Sequence, residues 1–139
     1  MMKNLFNTLE QKIDNKQIDR LGHMCIQWYT SYFDQAMWSL FNQLGITSEY
    51  MEEQNKGMVV VHQVTDFKIE VLEGSSISIK TELLDVSPRK IGFAHHMFDN
   101  NSDKEIAVCG MTCVHFDLTE RKSCDLPREV VEKIQMILS

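Results

Sequence analysis

The sequence has no long apolar run and little proline, and each absence excludes a class of protein. No stretch of about 18 apolar residues occurs, so we expect no membrane-spanning helix. Residues 1–14 lack the apolar centre of a secretion signal, which favours a cytoplasmic protein. With two prolines and no low-complexity segment, residues 1–139 are predicted to form a single domain without a flexible linker.

Paired metal-ligand motifs are also missing. The spacings CxxC, HxH and HExxH do not occur, so we predict no metal site and four reduced cysteines: Cys25, Cys109, Cys113 and Cys124. The net charge of −6 argues against nucleic acid as a partner. An anionic ligand would therefore need a local cluster of basic residues on an acidic background.

Apolar periodicity predicts one long helix and a sheet. From residue 24 to 44 apolar residues recur at i, i+3, i+4 and i+7, and Gly45 stands where a C-terminal glycine cap belongs. The apolar stripe is so wide that a curved sheet should enclose this helix. Four stretches rich in β-branched residues (58–71, 75–86, 91–98 and 105–118), separated by turn signals, predict strands of an antiparallel meander.

Shorter elements complete an α+β arrangement. Residues 6–18 suit a short edge strand, and residues 48–56 a short helix capped by Thr47 or Ser48 and closed by Gly57. Pro127 opens a last helix, predicted over residues 128–138. One buried helix against one antiparallel sheet is a common α+β layer solution.

The polar turn before the long helix carries a family resemblance. The sequence IDRLGHM at 18–24, followed by WY at 28–29 and FDQA at 33–36, resembles the hotdog-fold acyl-CoA thioesterases. These form the 4-hydroxybenzoyl-CoA thioesterase-like superfamily, here near its carnitine- and betaine-type members. The resemblance implies a hotdog fold, in which a five-stranded antiparallel sheet wraps a central helix. It also implies homodimers joined edge to edge, often homotetramers, with active sites at the dimer interface.

The implied activity is hydrolysis of a thioester to a carboxylic acid and free coenzyme A. Asp19 is the candidate general base, or a carboxylate nucleophile that passes through an anhydride, and the sequence leaves both open. His23 could orient the carbonyl, position water or protonate the leaving thiolate. Backbone N–H groups near His23 and Met24 are predicted to hold the oxyanion, because the first amides of a helix are unpaired. Gly22 would let the substrate carbonyl approach this backbone closely.

Further residues are assigned to substrate binding. Cys25 and Tyr29 are predicted to contact the acyl group, although the family usually has Asn where this chain has Cys25. Arg89 and Lys90 resemble a basic cluster that holds the coenzyme A phosphates. The substrate is an acyl-CoA or an acyl carrier protein thioester, and no separate cofactor is expected, because coenzyme A is part of the substrate.

Other interpretations of the same turn exist. Asp19 alone could be an N-cap, since Asp is a preferred capping residue. A hotdog hydratase or dehydratase is disfavoured, because those relatives place Asp and His in a longer, proline-containing turn. A third interpretation is a protein that binds acyl-CoA without turning it over, which the Cys25 substitution would favour if it disables the site.

Overall fold

A computed structural model describes residues 3–139 of the chain as one antiparallel sheet wrapped around a long helix. The strands are β1 (Leu5–Lys12), β2 (Lys56–Phe67), β3 (Ser76–Val86), β4 (Lys90–Asp99), β5 (Glu105–Asp117) and β6 (Lys122–Ser123). The helices are α1 (Ile26–Leu44), α2 (Ser48–Gln54) and α3 (Arg128–Leu138), with a short 3₁₀ helix at Asn15–Gln17. The predicted α+β hotdog architecture is confirmed.

Helix α1 forms the centre of the core. Its buried residues follow the predicted helical spacing and are Tyr29, Tyr32, Phe33, Ala36, Met37, Leu40, Phe41 and Leu44. Burial of a side chain such as Phe33 or Leu40 stabilises the fold by roughly 1.5–3 kcal/mol. Neither α1 nor any other helix within residues 3–139 has both the length and the apolarity to span a membrane.

The ends of α1 agree with the prediction at one terminus only. Gly45 adopts a φ of 98° and its N–H donates to the carbonyls of Asn42 and Phe41, as expected of a glycine cap. The helix begins at Ile26, two residues later than the periodicity predicted. The reason is that Met24 is in an extended conformation and forms a bridge with Ile18, so that Cys25 becomes the N-cap.

The C-terminal cap of helix α2 differs from the prediction, whereas its N-terminal cap agrees with it. Thr47 is the N-cap, and its hydroxyl accepts the N–H of Tyr50 at 3.1 Å, as predicted. The C-cap is Asn55, with a φ of 53°, and not Gly57. Asn tolerates the left-handed conformation, so the helix ends early and Gly57 is free to lie within β2.

Strand order corrects the predicted meander. The sheet runs β1-β3-β4-β5-β2, with β6 added beside β5, so β3 to β6 pair in chain order whereas β1 and β2 lie at opposite edges. After β2 the chain crosses from one edge of the sheet to the other through residues 68–75, which we call the crossover. Its first amides, Lys68 and Ile69, donate to the carbonyl of Ile106, and Gly74 donates to that of Ile13. These non-local bonds place β2 at an edge, which local turn signals cannot specify.

Candidate functional site

The polar turn before α1 is closed by backbone hydrogen bonds into a small hairpin. Ile18 and Met24 form an antiparallel bridge, the Asp19 N–H donates to the His23 carbonyl at 3.0 Å, and the Cys25 N–H donates to the Gln17 carbonyl at 2.9 Å. Asp19 and His23 are therefore fixed opposite each other across the hairpin. The turn residue Gly22 has a φ of 88°, a left-handed conformation that favours glycine.

One of the two oxygens of the Asp19 carboxylate takes part in the turn. Its Oδ1 accepts the Leu21 N–H at 2.8 Å, which is an Asx-turn, and within residues 3–139 Oδ2 has no hydrogen-bond partner. Because α1 begins at Ile26 with Cys25 as its N-cap, Asp19 is not the cap of that helix. The carboxylate therefore has a free oxygen that can accept a proton or attack a carbon.

The hairpin forms one wall of a cavity of about 500 Å³. The crossover and the end of β2 form the other wall. The lining residues are Asp19, Leu21, His23, Met24, Ile26, Tyr29, Phe67, Lys68, Ile69 and Glu70. Of the residues predicted from sequence, the cavity brings together Asp19, His23, Met24 and Tyr29.

Glu70 is a lining residue that the sequence did not single out. Its Oε2 lies 3.9 Å from Nδ1 of His23, so the crossover supplies a second carboxylate to the cavity. Burial, and then the negative charge of Glu70, raises the pKa of the Tyr29 phenol above its ordinary value. Tyr29 in turn packs edge-on against Phe67, with ring centroids 5.0 Å apart. No motif marks Glu70, because only the crossover path brings it to this wall.

The backbone amides that could hold an oxyanion differ from those predicted. The Met24 N–H donates to the Val71 carbonyl at 2.8 Å, and the Cys25 N–H is used by Gln17, so neither is available. Within residues 3–139 the amides of His23 and Ile26 have no acceptor, and both residues line the cavity. On the wall formed by the hairpin and α1, the available amides are therefore those of His23 and Ile26.

Two residues predicted to contact substrate do not line the cavity. Gly22 is exposed at the tip of the hairpin, where its conformation explains the glycine. Cys25 caps α1 through its backbone, and its side chain makes no capping hydrogen bond.

The predicted phosphate-binding pair lies far from this cavity within one chain. Lys90 pairs with Val114, which pairs with Val59 near the start of β2, whereas the cavity is at the other end of that strand, near Phe67. From Val59 to Phe67 the strand spans roughly 26 Å at about 3.3 Å per residue. The guanidinium of Arg89 bonds to Asp125 at 3.0 Å and to Ser123. One chain therefore does not bring Arg89 and Lys90 to Asp19.

Comparison with known proteins identifies related sequences along most of the chain. A family model described as the thioesterase-like superfamily matches residues 14–134. A betainyl-CoA thioesterase of Pseudomonas aeruginosa is 21% identical over 136 residues, covering 98% of this chain and 86% of that protein. An L-carnitine dehydrogenase/betainyl-CoA thioesterase of Rhizobium meliloti is 24% identical over 129 residues, covering 93% of this chain. This chain spans 26% of the length of that second, larger protein.

Solved structures share the fold at low sequence identity. A hypothetical protein from Staphylococcus aureus, solved in complex with CoA, superposes with a TM-score of 0.90 at 15% identity, covering 99% of this chain and 85% of that one. A 1,4-dihydroxy-2-naphthoyl-CoA thioesterase from Synechocystis gives a TM-score of 0.80 at 16% identity, covering 94% of this chain and 98% of that one. At these identities the similarity establishes the fold.

Proposed function

The chain belongs to the thioesterase-like superfamily, and from that premise we propose that it is an acyl-CoA thioesterase, which hydrolyses a thioester to a carboxylic acid and free coenzyme A. One observation carries the proposal. Asp19, whose carboxylate has an oxygen without a partner among residues 3–139, lines the same cavity as His23 and Ile26, whose amides have no acceptor in that range. Thioester hydrolysis needs these two elements, a base or nucleophile and donors for the oxyanion.

The proposed reaction has two routes that use the same groups. In the first, Asp19 takes a proton from water, the hydroxide attacks the thioester carbon, and the C–S bond then breaks. In the second, Asp19 attacks the carbon, the coenzyme A thiolate leaves, and water hydrolyses the resulting anhydride. In both, the amides of His23 and Ile26 hold the oxyanion. In this proposal His23, whose Nδ1 lies 3.9 Å from Glu70, donates a proton to the leaving thiolate and regains the one released by the attacking water.

The exposed edge of β2 supports a dimer in this proposal. Val61, Val64 and Phe67 are each more than half exposed on a twelve-residue edge strand. A long apolar edge with unpaired backbone groups favours pairing with another strand. We propose that the β2 strand of a second copy covers this edge in a homodimer, which could further assemble into a homotetramer.

Antiparallel pairing of two β2 strands would also complete the site. The start of one strand then lies beside the end of the other, where Phe67 lines the cavity. Lys90 is aligned across the sheet with Val59, through Val114, and therefore lies level with the start of β2. In the antiparallel dimer the partner's Lys90 and the partner's Arg89 would approach the mouth of the cavity. This pairing is the arrangement in which the predicted cluster could bind the phosphates of coenzyme A.

The charges of the cavity indicate which acyl groups it favours. Two carboxylates, Asp19 and Glu70, face it beside the aromatic rings of Tyr29 and Phe67. Lys68 also lines the cavity, and its charge is paired with Glu105. Carboxylates disfavour an anionic acyl group, and aromatic faces attract an alkylated ammonium group. Both curated relatives described above are named for betainyl-CoA, whose acyl group carries such a cation. We propose that neutral or cationic acyl groups are hydrolysed in preference to anionic ones.

The test is thiol release from a panel of acyl-CoAs that separates charge from shape. Betainyl-CoA, its uncharged isostere 3,3-dimethylbutanoyl-CoA and the anionic succinyl-CoA are compared with short-chain, medium-chain and aromatic acyl-CoAs. We expect turnover of at least one neutral or cationic thioester and the slowest turnover for succinyl-CoA. Tight binding of acyl-CoAs with no turnover of any of them would overturn the proposal in favour of a binding protein. Addition of water to an enoyl-CoA without thiol release would favour a hydratase.

A further inference from the structure

A cysteine, a histidine and a tyrosine form a hydrogen-bonded chain outside the cavity. The Cys124 N–H donates to the His115 carbonyl at 2.9 Å, which continues the pairing of β6 with β5 and sets the two residues opposite each other. Directly opposed side chains of an antiparallel pair lie close together. Sγ of Cys124 is accordingly 3.2 Å from Nδ1 of His115.

The second nitrogen of His115 is held from another element. Its Nε2 lies 3.0 Å from the hydroxyl of Tyr50 on α2, and the two rings stack with centroids 6.0 Å apart. His115 is 1% exposed, whereas Cys124 is partly exposed. The arrangement thus consists of a solvent-accessible thiol, a buried imidazole beside it, and a hydroxyl that orients the imidazole. Activated nucleophiles in enzymes have the same three parts.

The protonation states suit that role. Burial lowers the pKa of His115 below its ordinary value, so the ring is neutral at pH 7 and holds an accepted proton only transiently. Burial raises the pKa of the Tyr50 phenol, which therefore keeps its proton. If Nδ1 is unprotonated it can take the thiol proton, and if Nδ1 carries hydrogen it can donate to the thiolate. In both tautomers Nδ1 is in contact with Sγ of Cys124.

The remaining cysteines lack this environment. Cys109 and Cys113 are fully buried, and burial raises the pKa of the Cys113 thiol to about 12. Cys25 is partly exposed like Cys124, but its thiol has no hydrogen-bond partner within residues 3–139. Helix N-termini activate thiols, so Cys25, the N-cap of α1, is a demanding comparison site that differs in having no imidazole beside it.

We propose that Cys124 is a site of reversible thiolation by a low-molecular-weight disulfide, with His115 as the group that activates the thiol. The thiol proton passes to His115, and the thiolate attacks one sulfur of the disulfide. A new disulfide bond to Cys124 forms as the original S–S bond breaks. The departing thiolate takes the proton from the imidazolium and leaves as a thiol, so that one disulfide is exchanged for another. An excess of thiol reverses the reaction.

The test compares Cys124 with Cys25 in the same folded molecule. The full-length protein is incubated with oxidised glutathione at pH 7, and the adduct at each cysteine is followed by peptide mass spectrometry. An ordinary thiol, with a pKa near 8.5, is only about 3% ionised at pH 7, so activation leaves room for a large increase. We expect Cys124 to react roughly tenfold faster than Cys25. Equal rates, or an adduct that forms first at Cys25, would overturn the proposal.

Two variants separate activation from simple exposure. Tyr50→Phe keeps the stacked ring and removes the hydroxyl, and His115→Gln removes the imidazole. We expect both to slow thiolation of Cys124 while the rate at Cys25 stays the same, whereas partial unfolding would raise both rates. An unchanged Cys124 rate in a folded Tyr50→Phe and a folded His115→Gln would contradict a role for the imidazole. The wild-type comparison decides the proposal even where His115→Gln fails to fold.

Discussion

The two carboxylate oxygens of Asp19 differ in their contacts. Oδ1 accepts the Leu21 N–H and fixes the hairpin, and Oδ2 is left without a partner among residues 3–139. A single substitution can therefore separate the turn from the chemistry. Asn keeps an oxygen that can accept the Leu21 N–H, but it cannot act as a base or as an anionic nucleophile.

His95 shows how strongly burial can act on one residue. It is fully buried, lies parallel to Phe33 with ring centroids 5.7 Å apart, and bonds through Nδ1 to Thr81 at 2.7 Å. Thr81 is linked in turn to Thr8 at 2.8 Å. Within residues 3–139 the other nitrogen, Nε2, has no partner. Burial lowers the pKa of His95 to about 3, so the ring stays neutral in the folded protein.

The first prediction is that His95 makes the fold sensitive to acid. Below pH 6.5 the unfolded chain binds a proton on this histidine and the folded protein does not, so stability is full above pH 6.5 and falls toward pH 3. The free energy of unfolding then falls by about 1.4 kcal/mol per pH unit, which amounts to roughly 2 kcal/mol between pH 6.5 and 5. Asn does not titrate, so His95→Asn should lack this contribution to the pH dependence of the free energy of unfolding. Urea unfolding of both proteins at several pH values measures it, and parallel pH dependences would contradict the prediction.

Two short segments build the site at the scale of elements. The hairpin 17–25 presents Asp19 and His23, and the crossover 68–75 presents Glu70. The Met24 N–H joins them by donating to the Val71 carbonyl at 2.8 Å. This bond removes Met24 from the oxyanion role and fixes the distance between the two walls of the cavity.

A second prediction concerns the glycine of the hairpin. Gly22 and Gly45 both have positive φ, and a Cβ on either would meet no heavy atom within 4 Å, so Ala at either position is strained only by its backbone conformation. We expect each substitution to cost about 1–2 kcal/mol of stability. Only Gly22→Ala should also lower kcat/KM, because it distorts the turn that holds Asp19. Urea unfolding and thioester hydrolysis measure the two effects, and equal activity in the two variants would show that the hairpin conformation does not control the site.

The local sequence pattern was sufficient to predict most helices and strands, but not how the strands are ordered in the sheet. The spacing of Tyr29, Phe33 and Leu40 predicted α1, because one face of a helix must be apolar to be buried. His95 and His96 lie on opposite faces of β4, as the alternation of a strand requires, with His95 buried and His96 more exposed. The position of β2 beside β5 could not be predicted, because it depends on bonds such as that from Lys68 to Ile106, far apart in the chain.

At the scale of the whole molecule, the open edge of β2 and the position of the cavity belong together. Phe67 lies on that edge and also lines the cavity. A second copy paired along β2 would bury the exposed valines. It would also bring a basic cluster to a cavity whose lining, among the described residues, includes Lys68 but neither Arg89 nor Lys90. The sequence could place Asp19 with His23, since they share one turn, but Glu70 and Arg89 are placed by long-range topology.

A third prediction follows for assembly. Val61→Lys introduces a charge in the middle of the β2 edge, where desolvating it on pairing is costly. We expect the variant to be largely monomeric and to lose most thioesterase activity. The control Met136→Lys, at an exposed apolar position on α3, should keep the wild-type mass and activity. Light scattering during size exclusion gives the mass. A wild-type protein that is monomeric and active would contradict the proposed dimer.

The central claim is that the Asp19 carboxylate carries out thioester hydrolysis, and Asp19→Asn tests it most directly. The measurement is kcat/KM for the acyl-CoA that the wild-type enzyme hydrolyses best, with Asp34→Asn on the exposed face of α1 as the matched control. A base or nucleophile contributes about 10²- to 10⁴-fold, so we predict a loss of that size in Asp19→Asn and wild-type activity in Asp34→Asn. A folded Asp19→Asn variant that retains wild-type activity would contradict the claim.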